Sequence, residues 1–125
     1  MRRRFDERAV RSAERRARED AAPRLIAAVP NLESLQINVR EHRAGNTVAD
    51  ATYVRRVVVL HAPAMFIVPC GEPSCRDDHD LTSSLMPGLR NGATQLEGED
   101  DCRGTVGSSP CQRVLRWTAI AAYRP

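Results

Sequence analysis

The chain has 125 residues, of which 42% are hydrophobic but only 4% aromatic, and its net charge is +3. That length holds one domain with room for an appendage, and the lack of any run of about 18 apolar residues excludes a helical membrane span. All nineteen basic residues are Arg and none is Lys, a bias that a GC-rich coding sequence explains without invoking function.

Residues 1–24 differ in kind from the rest of the chain, with nine Arg and five acids among five Ala. Ala and Arg favour helix, and Glu7 with Arg11 and Glu14 with Arg18 stand at helical pairing distance, so a helix is predicted here. Its apolar stripe is Phe5, Ala9, Ala13, Ala17 and Ala21, right in spacing but made almost wholly of methyl groups, so it buries little area. Pro23 opens a further short turn through Val29, and Pro30 ends it. Residues 1–29 are therefore read as an Arg/Ala-rich helical extension and residues 30–125 as the domain proper. Because Met1-Arg2-Arg3-Arg4-Phe5 leads into charge rather than an apolar segment, no secretory signal is expected, and the expected compartment is a reducing cytoplasm.

After Pro30 the period changes to two. Leu35, Ile37 and Val39 alternate with Gln36, Asn38 and Arg40, which predicts a half-buried strand over 32–40. A Gly-Asn turn at 45–46 leads to a β-branched run from Tyr53 to Leu60, read as a central strand. Ala62-Pro63 interrupts it, and Met65 to Val68 resumes an extended stretch, as one bent strand or two. Asp80 is read as the N-cap of a helix carrying Leu81, Leu85 and Leu89 on one face; Pro87-Gly88 keeps it short or kinked, and Gly92 ends it. Gln95 to Glu97 is a brief strand, and Val114 to Tyr123 a final one. The sum is an α+β fold: a small, mainly antiparallel sheet of three to five strands, an intervening short helix, an N-terminal helix and cysteines at strand ends.

The four cysteines form two pairs, Cys70-x4-Cys75 and Cys102-x8-Cys111. Each pair brackets Gly and Pro, which let a backbone fold tightly enough to aim two thiolates at one point, and each abuts a predicted strand. Two such turns supply what a tetrahedral structural Zn²⁺ needs. Two disulfides, unpaired buried thiols and an iron–sulfur cluster use the same residues. The arrangement of Cys70, Cys75, Cys102 and Cys111 with their flanking strands resembles a zinc ribbon or zinc knuckle, in which two cysteine-bearing turns at the tips of a small sheet clamp one ion. What the resemblance implies is a structural zinc. Four thiolates leave no coordination position open, so such an ion stabilises the fold and does not activate water.

Elsewhere the chemistry is thin. His79, among Asp77, Asp78 and Asp80, is read as a solvated residue at a helix start, where acids complement the helix dipole; replacing a cysteine ligand or orienting one is the sharper reading. The regular spacing and glycine of a calcium loop are missing. Glu97 to Asp101 reads as a polar loop, His42 and His61 stand alone, and no nucleophile elbow or phosphate-cradling glycine motif occurs. The remaining candidates are Arg2, Arg3, Arg4, Arg8, Arg11, Arg15, Arg16 and Arg18, whose guanidiniums on several sides of one helix suit phosphate contacts. The expectation is a non-enzymatic, bacterial-type zinc-binding protein that meets RNA (ribosomal RNA included) or DNA through that helix. The alternatives are a protein-interaction module docking through the Ala stripe, and a thiol-redox or metal-dependent enzyme with Cys70 and Cys75 as its reactive pair.

Overall fold

The computed structural model describes residues 2–125, with side chains from residue 9 onward. Helix α1 runs Arg2–Ala21, as its Ala and Arg content dictates, and a single turn, α2, spans Leu25–Ala28. Strands β1 (Leu32–Arg43), β2 (Ala51–Val57), β5 (Gln95–Asp101) and β8 (Arg113–Tyr123) form one antiparallel sheet in the order β2-β1-β8-β5. Two small hairpins complete the architecture. One pairs β3 (Ile67–Pro69) with β4 (Asp78–Asp80), the other β6 (Thr105–Val106) with β7 (Ser109–Pro110); α3 occupies Thr82–Arg90. The fold is thus small, α+β and mainly antiparallel.

The register explains which side chains meet. One row across the sheet is Tyr53, Val39, Trp117 and Gly98, the next is Ala51, Glu41, Leu115 and Asp100, and both face inward. Leu35, Ile37, Val39, Leu115, Trp117, Ala119 and Ala121 supply the inner face. Over it pack Leu25 and Val29, Phe66 and Val68, Leu81, and Leu85, Met86 and Leu89 of α3. Leu25 and Val29, although within residues 1–29, are 0% and 2% exposed core residues, and Leu25 N–H is tied to Ala62 C=O at 3.0 Å. Truncating any of the fully buried leucines to Ala costs about 2–5 kcal/mol. The opposite face of the sheet is largely polar, with Arg40, Arg116 and Thr118 exposed beside the exposed Val54 and Ile120, as antiparallel sheets permit.

Three expectations are corrected. The run from Tyr53 is an edge strand, because β2 has a sheet neighbour on one side only and its Arg55-Arg56 pair keeps that edge polar. Asp80 belongs to β4, and Leu81 is the N-cap of α3; Asp80 still accepts the Thr82 N–H at 3.0 Å. Residues 97–101 are strand β5, not a loop, because Leu96, Gly98 and Asp100 keep a two-residue period toward the inner face. Met65 to Val68 resolves as separate from β2, and Gly92, at φ +77, ends α3.

The Ala stripe does not face the domain. Ala9, Ala13, Ala17 and Ala21 are exposed, and the α1 face with reduced exposure carries Ser12, Arg15 and Glu19; the Phe5 side chain lies outside the described residues. What ties α1 to the domain is charge: Arg15 reaches Asp78 at 3.3 Å and Arg18 reaches Asp80 at 3.5 Å.

Candidate metal centre

Each cysteine pair sits in a turn closed by its own backbone. Cys70 follows β3, donates its N–H to Asp77 C=O at 3.1 Å, and the turn tightens where Cys75 N–H meets Glu72 C=O at 3.0 Å. In the second loop Cys102 N–H bonds Arg113 C=O and Cys111 N–H bonds Gly104 C=O, both at 2.9 Å. The excursion between them is the β6–β7 hairpin, turned at Gly107 with φ +62, the left-handed geometry that glycine adopts freely at the first central position of a tight hairpin turn. Gly104 is fixed by contact: a Cβ there would lie 2.7 Å from Cys75 Sγ and 2.7 Å from Asp77 Cβ.

These turns bring all four sulfur atoms within 4.8 Å of one another. Cys70 Sγ lies 3.7 Å from Cys111 Sγ, and Cys75 Sγ 3.5 Å from Cys102 Sγ. A disulfide requires about 2.05 Å, and the four are free thiols. An ion with metal–sulfur bonds of about 2.3 Å in a tetrahedron sets its sulfurs about 3.8 Å apart, so the cluster has the size and donor chemistry to hold a metal ion. Gly104 N–H donates to Cys102 Sγ at 3.4 Å, the kind of bond that steadies a thiolate.

Without a cation the cluster resists ionisation. Burial first, then neighbouring thiols, push Cys70 well above the ordinary thiol range, and the same causes push Cys102 up to about 12. Cys111 goes the other way: burial opposes its ionisation, but the Arg113 backbone N–H and hydrogen bonds from the other thiols lower it. A divalent ion entering here would displace protons.

A chain of charges lies behind the cysteines. Arg113 contacts Asp50 at 2.6 Å and Glu41 at 3.4 Å; Glu41 lies 3.4 Å from His79 Nε2, and His79 Nδ1 is 2.7 Å from Asp100. Glu41 also accepts the Gly71 N–H at 3.2 Å. Glu41 and Asp100 share one inward row, two strands apart across Leu115, a gap of about 10 Å that the His79 ring spans from β4. The network and the Gly71 N–H it holds lie near all four cysteines in sequence: Gly71 follows Cys70, His79 comes four residues after Cys75, Asp100 two before Cys102, and Arg113 two after Cys111. Glu41, from the middle of the sheet, thereby grips both loops.

His79 is thus not solvated: its exposure is 0%. Burial alone would lower its pKa, but the Glu41 and Asp100 carboxylates more than offset that and raise it. One of its ring nitrogens also stands within 4.8 Å of Cys70 Sγ and a Glu41 carboxylate oxygen, and Nε2 has no well-aligned hydrogen bond. Glu41 is also displaced from its ordinary value: burial pushes it up, while His79, the Gly71 N–H and Arg113 bring it below.

Sequence reasoning found the four cysteines and missed Glu41, Asp50, Asp100 and Arg113. One signal was present: Glu41 continues the inward phase of Leu35, Ile37 and Val39, and Arg113 that of Leu115 and Trp117. Asp78 and Asp80 lie on β4 and pair with Arg15 and Arg18; of the two, Asp80 also accepts the first N–H of α3, from Thr82. His42, isolated in the sequence, is 7% exposed, with Nδ1 2.9 Å from the Arg43 carbonyl oxygen.

Of the eight Arg singled out, Arg15 and Arg18 are engaged within the chain, Arg11 and Arg16 are exposed, and the side chains of Arg2, Arg3, Arg4 and Arg8 lie outside the described residues. Arg11, Ser12 and Arg15 also wall a cleft of about 730 Å³ whose other side is Cys70, Glu72 and Cys75 with Val106 and Gly107.

Comparison with known proteins gives no relative: no family model, curated protein or solved structure matches the chain.

Proposed function

We infer that the chain is a non-enzymatic protein braced by one structural Zn²⁺, held by Cys70, Cys75, Cys102 and Cys111. The observation that carries this is four sulfur atoms within 4.8 Å on two backbone-closed turns. Zinc suits an all-thiolate tetrahedron, and a four-thiolate site has no open position for a reacting water. The ion supplies folding free energy, which matters in a chain with few aromatic residues for its core. Native mass spectrometry with elemental analysis tests it. One zinc per chain is expected, with loss of structure on chelation; two hydrogens missing per cysteine pair and no metal would overturn it.

The binding role proposed for the protein is contact with RNA or DNA phosphates through α1, supported by the excess of Arg over acids in residues 1–24 and the exposure of Arg11 and Arg16. Charge elsewhere restricts that surface: residues 70–102 carry two Arg and eight acids, so nucleic acid is repelled from the cysteine side. Affinity for a fluorescent RNA should fall steeply between about 50 and 300 mM salt and drop when Arg11 and Arg16 become Ala; constant affinity rejects the reading. A second reading, docking of a protein on α1, is favoured by the exposed Ala stripe with Val10, itself 54% exposed. A concentration-dependent mass in light scattering would support its self-association form.

A further inference from the structure

The four cysteines are not equivalent in their access to solvent. Cys75, Cys102 and Cys111 are 8%, 9% and 6% exposed, whereas Cys70 is only partly buried and stands in the wall of the 730 Å³ cleft below α1. Cys75 lines the same cleft but is the more deeply buried residue, so of the two cysteines there Cys70 is the more accessible to a small solute. Its neighbour across the cluster is Cys111 Sγ at 3.7 Å; the other short contact joins Cys75 and Cys102, at 3.5 Å. Both short contacts cross from one loop to the other, and neither lies within a Cys-x4-Cys or Cys-x8-Cys turn.

We propose that Cys70 is a hydroperoxide-reactive modification site and Cys111 its resolving partner, so that oxidation joins the two loops through a Cys70–Cys111 disulfide. The coupling of this step to metal release rests on the zinc reading above; the pairing itself rests on the sulfur positions.

A metal ion keeps Cys70 as a thiolate, which is the nucleophilic form. Cys70 Sγ attacks one peroxide oxygen, the O–O bond breaks, and hydroxide leaves, taking a proton from solvent to become water. Cys70 is then a sulfenic acid. The Cys111 thiolate attacks that sulfur, the S–S bond forms, the S–O bond breaks, and the second hydroxide leaves as water with another solvent proton. The two thiolates lose two electrons and the hydroperoxide gains them. Only Cys75 and Cys102 would then remain to hold a bound ion, half of the four-thiolate set, which would release it. Closing 3.7 Å to about 2.05 Å is a side-chain movement within loops already in contact. A thiol reductant reverses the step and restores the four-sulfur cluster.

The test uses the full chain loaded with Zn²⁺. Its metal content is measured first; absence of zinc as purified overturns the proposed function, while the pairing is still judged on the metal-free thiols. Hydrogen peroxide is then added, zinc release is followed with a chromogenic chelator, and disulfides are mapped by peptide mass spectrometry at early times. The expected result is one zinc released per Cys70–Cys111 disulfide, reversed by dithiothreitol, with dimedone capturing Cys70 ahead of the other three. No substitution is needed, so folding of a variant does not enter. A first disulfide between Cys75 and Cys102, or within either turn, overturns the proposal. So does a cluster that keeps its zinc and four thiols under peroxide sufficient to oxidise free cysteine.

Discussion

Two sets of Arg–carboxylate contacts hold the cysteine-bearing end of the molecule, and they differ in how much water reaches them. Along α1, Arg15 and Arg18 meet Asp78 and Asp80 with side chains 21–51% exposed. Behind the cysteines, Arg113 and Glu41 meet with side chains 8% and 3% exposed, and His79 beside them is at 0%. The residue types are alike, but water screens the first set throughout, whereas in the second it reaches the outer ends, Asp50 at 51% and Asp100 at 29%, and not the Arg113–Glu41–His79 centre. The first set is an adjustable seam between a helix and the β3–β4 hairpin. The second is a fixed keystone: removing Glu41 leaves Arg113 only its half-exposed partner Asp50 and His79 only Asp100, and breaks the link between the two loops.

The contrast between seam and keystone can be tested from its strongest arm downward. The largest effect expected is from the zinc proposed for the cysteine cluster: Cys75→Ser, or chelation, should unfold the zinc-loaded chain, since structural zinc contributes on the order of 10 kcal/mol in small sites. Circular dichroism melting with and without chelator reads this, and an unchanged melt would sever the keystone from any metal.

Next comes Glu41→Gln, which leaves Arg113 and His79 facing a neutral amide and should cost about 3 kcal/mol or more in urea unfolding. Acid sharpens this test. The Glu41 carboxyl titrates below its ordinary value in the fold, so its stabilisation is complete above its unfolded pKa of about 4.3 and is lost as pH falls through the lower folded value. The parent protein should therefore lose stability below about pH 4 more steeply than Glu41→Gln. Parallel acid limbs would count against the keystone.

Gly104→Ala is smaller and local. The new methyl meets Cys75 Sγ, so zinc affinity in a competition titration should fall about tenfold while the sheet persists. Smallest are Arg15→Ala and Arg18→Ala, each expected to cost under about 1 kcal/mol and to become neutral near about 1 M salt. A cost as large as that of Glu41→Gln would erase the distinction between seam and keystone.

The seam and the keystone also differ in how readable they are from sequence. Alternation along residues 32–40 announces one central strand, because one face of it is apolar and period two has few other meanings; residues 114–123 read as a strand, but apolar residues stand on both of its faces, Ile120 at 48% exposure among them, so its central place shows only in the pairing. The cysteines announce themselves through chemistry, as soft ligands bracketed by glycine and proline. The keystone does not, since its members come from five separate stretches of chain and none carries a local signature. Glu41 stands one residue beyond Arg40, where the predicted strand ends, and only the register with Leu115 and Asp100 shows that its phase is inward. β2 misleads for a related reason: its β-branched content describes a strand, but only pairing decides whether that strand is central. His79 reads as solvated because its sequence neighbours are acids, whereas the acids that matter to it are Glu41 and Asp100, distant in sequence.

The central ladder carries one more consequence. β1 lies between β2 and β8, and β8 between β1 and β5, so the two middle strands are drawn from opposite ends of the domain. On the ribosome, a nascent chain that still lacks β8 has only the β1–β2 pair of its sheet, no seat for β5, and all four thiols but no Arg113 for Glu41 and no Arg113 C=O to hold the Cys102 N–H. Folding therefore waits for β8 to emerge and then proceeds through contacts remote in sequence, the slow kind. Until that moment Cys70, Cys75, Cys102 and Cys111 are available to whatever metal or oxidant the cell offers.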